Sequence, residues 1–99
     1  MSEVVHSTLH SALVVSEAAL ALQKRLRWQC RRGMLEMDFL LRRYIDEAFL
    51  ASSPAAKVSF EALLQLEDDL LWDYLLGTKN PPEPDFQQLL HAIRTGYTP

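Results

Sequence analysis

Ninety-nine residues suffice for one domain and leave no room for two ordinary cores. Hydrophobic residues at 48% and charged residues at 23%, with three glycines and five prolines, exclude a disordered, collagen-like or loop-dominated chain. The net charge is −3 and the single cysteine is Cys30, which excludes an internal disulfide framework and a multi-cysteine zinc site and fits a reducing compartment.

The run from Leu9 to Leu22 leans apolar, but it is too short for a membrane span and Glu17 interrupts it. Positive charge follows this run, where a secretory signal would place it before. Residues 1–23 also hold two acids and no arginine, unlike a mitochondrial transit peptide. The reading is a bacterial cytoplasmic protein with an N-terminal extension, residues 1–23, followed by one helical domain, residues 24–99. Val5, Leu9, Leu13, Ala19 and Leu20 give the extension helical spacing, so part of it is expected to be helical.

No stretch sustains the period-two alternation of a strand, whereas helical periodicity recurs. A first helix is predicted over about Leu22 to Arg31, with Leu22, Leu26 and Cys30 on one face. Gly33 stands where a left-handed C-terminal cap is needed, and Arg31 and Arg32 fall in the last turn, where cations suit the helix dipole. A second, central helix is predicted over about Leu35 to Leu50. Met37, Leu40, Leu41, Tyr44 and Ala48 share its apolar face, which Phe39, Ile45 and Phe49 broaden. Ser53 before Pro54 reads as an N-cap and first-turn proline for a third helix to about Leu66, burying Phe60, Leu63 and Leu64. Glu67-Asp68-Asp69 separates it from a short fourth helix, with Leu71, Trp72 and Leu75 inward and Gly77 at its end. A fifth runs from near Pro84 to just before Gly96, presenting Phe86, Leu89, Leu90 and Ile93. The predicted fold is all-α, a compact five-helix bundle.

Catalytic constellations are thin. There is no glycine-rich phosphate loop, nucleophile elbow or HExxH. His6 and His10 share an i, i+4 spacing but lack further ligands nearby, and read as surface histidines. Cys30 reads as a small buried hydrophobe. The acids Glu67, Asp68, Asp69 and Asp73 lack calcium-loop spacing and read as first-turn acids at a helix N-terminus. No catalytic, metal or stably bound cofactor site is expected, and the chain is not read as an enzyme.

Charge is unevenly placed. Seven of the ten Lys and Arg (Lys24, Arg25, Arg27, Arg31, Arg32, Arg42 and Arg43) lie within residues 24–43, beside only Glu36 and Asp38. From Tyr44 onward nine acids face Lys57, Lys79 and Arg94. With Trp28 inside it, the basic run could contact nucleic acid, but the whole chain is acidic and carries no recognised nucleic-acid motif. The densest feature is the junction Arg31-Arg32-Gly33-Met34-Leu35-Glu36. On spacing alone Gly33 caps one helix and Glu36 is a capping acid in the next. The same corner suits docking, because arginine forks carboxylates and glycine lets a partner's backbone approach.

The string Trp28-Gln29-Cys30-Arg31-Arg32-Gly33-Met34-Leu35-Glu36-Met37-Asp38 resembles the RGxxE signature of the SdhE-type FAD assembly factors, here Arg32, Gly33 and Glu36. The resemblance extends over about Lys24 to Thr95, through Phe60, Leu63, Leu64, Asp68, Trp72, Leu75 and the loop at Pro81. Residues 1–23 have no counterpart in it. It implies a small all-helical monomer that binds the flavoprotein subunit of succinate dehydrogenase or fumarate reductase and promotes its covalent FAD attachment. The client's own histidine then bonds to the 8α-methyl carbon of bound FAD, so the factor acts on its client's FAD and holds none stably itself. It also implies partner-binding roles for Arg31, Arg32, Gly33, Met34, Glu36 and Asp38, with no nucleic acid and no direct membrane insertion. The resemblance leaves a second reading, an antitoxin-like interaction protein that pairs with a small membrane partner.

Overall fold

Glycine, serine and proline mark the helix ends. The computed structural model describes residues 17–96, and the described residues form five helices and no strand. Helix α1 covers residues 17–29, α2 Leu35–Glu47, α3 Pro54–Leu63, α4 Asp68–Leu76 and α5 Pro84–Thr95. The Ser53 hydroxyl accepts from the Ala56 N–H at 3.1 Å, and Pro54 opens α3 with a φ already suited to a helix. Gly77 and Gly96 close α4 and α5 in the left-handed region.

The apolar faces meet in one core. Leu26 and Cys30 enter from α1 and its end, Met37, Leu41, Tyr44 and Ile45 from α2, and Phe60 and Leu63 from α3. Leu71 and Leu75 come from α4, and Leu89, Leu90 and Ile93 from α5. Helix α5 packs against α2, α3 and α4. Phe60 lies at the centre, stacked on Tyr44 at 4.9 Å between ring centres and tilted against Phe49 at 5.7 Å. No polar or charged residue among those described is buried. Fully burying one Leu or Phe contributes about 1.5–3 kcal/mol, so this core is the principal stabiliser.

Four boundaries differ from the sequence expectation. Helix α1 is already formed at residue 17 and crosses the 23/24 boundary, because Leu22 packs on the core and the Gln23 side-chain amide donates to Ile45 O at 2.7 Å. It ends at residue 29, before Arg31 and Arg32. Helix α2 stops at Glu47, where Tyr44 O accepts from both the Ala48 and the Phe49 N–H, at 2.9 and 3.0 Å. The chain there unwinds while still burying Phe49. Helix α3 stops at Leu63, and Gln65 and Leu66 turn back with i→i+3 bonds to Ala62 and Leu63.

One side-chain expectation is corrected. Phe39 does not broaden the apolar face of α2 but stands 61% exposed. It lies two residues from buried Met37, about 200° round a helix with 3.6 residues per turn and so on the opposite side.

Candidate functional site

The turn between α1 and α2 is built by Asp38. Its carboxylate accepts from the Arg32 N–H at 2.9 Å and the Gly33 N–H at 3.1 Å, two backbone donors that leave the turn pinned against α2. Gly33 sits at φ 79° with open space where a Cβ would stand. The conformation, rather than crowding, therefore calls for glycine. Glu36 lies exposed in the first turn of α2, but no side-chain capping bond closes that helix. The capping role expected of Glu36 belongs to Asp38, which reaches back past the helix start to the turn amides.

Arg32 turns inward. Its guanidinium donates from Nε to Gln29 O at 2.7 Å, from Nη1 to Leu66 O at 3.2 Å and to Asp68 Oδ1 at 2.9 Å, and from Nη2 to Leu64 O. Only 14% of its side chain is exposed. One side chain thus closes the C-terminal carbonyls of α1 and α3 and pairs with the first acid of α4. A planar fork with several N–H donors is needed for that. The adjacent Arg31 turns outward and stacks over Trp28, 4.9 Å from the ring centre. Met34 is half-buried against the core. Of the six sequence-predicted residues, Arg31, Gly33 and Glu36 therefore project from the corner, Arg32 and Asp38 build it, and Met34 spans both roles.

The basic run is largely spent on the fold. Arg25 pairs with Glu61 at 3.0 Å and Arg27 with Asp46 at 3.3 Å. Arg43 donates to Ile93 O and Arg94 O at 2.9 Å each. Among the described residues Lys24, Arg31 and Arg42 remain outside any ion pair. They line an open groove beside the corner together with Trp28, Leu35 and Phe39. Trp28 is 68% and Leu35 87% exposed. Sequence reasoning missed Leu35 and Phe39 as surface residues. The available signal was their position off the face set by Met37, Leu41 and Tyr44.

Burial pushes the Cys30 thiol up from its ordinary 9.0 to about 12, with nearby Arg32 opposing the rise. The thiol is thus neutral at physiological pH, the state of an inert core cysteine. Among the described residues no three His, Cys, Asp or Glu side chains converge as metal ligands. None of the described helices is long and apolar enough to cross a membrane. His6 and His10 lie outside the described residues.

Comparison with known proteins bears on the same segment. A family model described as "Flavinator of succinate dehydrogenase" matches residues 24–96. The FAD assembly factor SdhE of Coxiella burnetii is 42% identical over 71 residues, covering 72% of this chain and 87% of the relative. The protein of that name from Shewanella oneidensis is 37% identical over 70 residues, covering 71% and 85%. That of Colwellia psychrerythraea is 43% identical over 69 residues, covering 70% and 76%. No solved structure matches. The matched region takes in α1 from residue 24 onward, the Asp38-pinned corner and all four following helices, and the chain belongs to the family of succinate dehydrogenase flavinators.

Proposed function

We propose that this chain is an accessory factor that docks on the flavoprotein subunit of succinate dehydrogenase or fumarate reductase and promotes covalent attachment of that subunit's FAD. The observation that carries the proposal is the family match over residues 24–96, which takes in a corner from which Arg31, Gly33 and Glu36 project. Arg32 and Asp38 hold that corner in shape from within, and Met34 forms its margin. The factor is no enzyme in its own right. It acts as a monomer in the bacterial cytoplasm, on FAD held by the client. The antitoxin-like reading gains no support, since the relatives named above are FAD assembly factors.

Physically, a bare turn glycine flanked by an outward arginine and an outward glutamate suits polar docking more than chemistry. Such rim charges steer association and set register. A helper that must release its client is served by a modest polar interface.

The test is in-gel flavin fluorescence of the denatured flavoprotein subunit, with and without the factor. Gly33→Arg and Glu36→Ala are expected to keep the helical fold and abolish stimulation. Gly33→Ala carries the same backbone strain, about 1–2 kcal/mol, without the bulk, and is expected to retain most of it. Undiminished stimulation by Gly33→Arg and Glu36→Ala together would overturn the site assignment.

A further inference from the structure

Beside the corner, a groove of about 890 Å³ opens between the outer surfaces of α1 and α2. Three large apolar side chains, Trp28, Leu35 and Phe39, line it and stand in water. A clustered apolar patch of this kind marks an interaction site. Lys24, Arg31 and Arg42 line it too, and none of them is in an ion pair among the described residues. Its lining holds four cations, Lys24, Arg27, Arg31 and Arg42, against one acid, Asp38, while Asp46 pairs with Arg27 and Glu36 stands exposed beside Leu35. The groove therefore carries net positive charge around an apolar lining.

We infer that this groove docks an acidic amphipathic segment of the client flavoprotein, its apolar side chains against Trp28, Leu35 and Phe39 and its carboxylates on Lys24, Arg31 and Arg42. The inference rests on the assembly-factor reading and adds to it a second surface and the chemistry of what fills it. Charge complementarity selects an acidic occupant. The concave shape favours an inserted protein segment over a flat lipid surface. Nucleic acid fits poorly, because Arg32 and Arg43 are spent on backbone carbonyls and three exposed apolar side chains share the lining with the cations, where a phosphate track would need charge. Gly33 lines both the groove and the corner, so one continuous client segment can reach both.

The experiment titrates the full-length chain against the apo flavoprotein subunit of succinate dehydrogenase by calorimetry at low and moderate salt, with flavin fluorescence in parallel. The combined variant K24E/R31E/R42E breaks no ion pair of the fold. It is expected to keep the wild-type helical circular dichroism, to weaken binding by about tenfold or more at low salt, and to flatten the salt dependence. Trp28→Ala with Phe39→Ala is expected to weaken binding by about tenfold as well while keeping the wild-type salt dependence. A benzophenone side chain placed at position 39 is expected to cross-link to an acidic stretch of the client. The inference is overturned if the triple variant binds the client as tightly as wild type, or if position 39 cross-links to a second copy of this chain. It is also overturned if phosphatidylglycerol vesicles bind the wild type and lose the triple variant while client binding is unchanged. Failure of the underlying reading looks different. The wild-type chain would then neither bind nor stimulate the flavoprotein, and the groove assignment would fall with it.

Discussion

Arg31 and Arg32 are identical neighbours in sequence with opposite destinations. Arg31 lies on Trp28 in solvent, while Arg32 spans to carbonyls and a carboxylate 32 to 36 positions away. Replacing Arg32 by Ala strands several inward-facing acceptors at once and is expected to cost about 3 kcal/mol. Arg32→Lys is expected to recover less than half of that, since an ammonium cannot fork. Arg31→Ala is expected to stay within about 0.5 kcal/mol. Denaturant titration followed by circular dichroism checks all three. Glu36→Ala, expected to lose stimulation without losing stability, then separates a residue that meets the client from one that shapes the corner. The signature was legible in sequence, but this division of labour within it was not. Nothing local to Arg32 reveals that the open carbonyls of Leu64 and Leu66 lie across the fold, and the pattern that pointed to Glu36 as a cap could not show Asp38 reaching backward.

At the scale of the helices, the signals that read true were local. Ser53-Pro54, Gly77 and Gly96 act within a turn of their own position, and each stands at the helix end it was expected to mark. Ser53→Ala removes the side-chain acceptor of the Ala56 N–H and is expected to lower stability by about 1 kcal/mol, or about 4–8 °C in Tm for a domain of this size, measured by thermal melting. The signals that misled were those decided by distant partners. Helices α2, α3 and α4 carry no basic residue in their own last turns. Their ends are met instead by side chains from elsewhere: Gln23 on Ile45 O, Arg32 on Leu64 O, and Arg94 on Tyr74 O. Arg43 does the same for α5. Periodicity finds helices but carries no information about which remote cation will finish them.

For the whole molecule, the core is apolar and small, and its few titratable members set the alkaline limit. In the folded state the Cys30 thiol stays protonated to about 12, against an ordinary 9.0, and burial likewise raises the Tyr44 phenol above its ordinary 10.0. Above about pH 9 the folded chain thus holds more protons than the unfolded one, so stability is full below that pH and falls as pH rises toward 12. Denaturant midpoints at about pH 8 and pH 10.5 check the sign, and Cys30→Ala is expected to make the decline shallower. Net charge hid a second division. The basic stretch of residues 24–43 looked like one face, yet four of its six arginines are tied into bonds of the fold, and Lys24, Arg31 and Arg42 stand outside any ion pair among the described residues.

The exchange of caps between helices has a mechanical consequence. A helix whose last carbonyls are held by another helix's side chain cannot fray alone, so its end opens only when its neighbour lets go. The ends of α2 to α5 are thereby tied to other parts of the fold. A factor docked as such a block is expected to act as a fixed template, so that reshaping on docking falls to its partner.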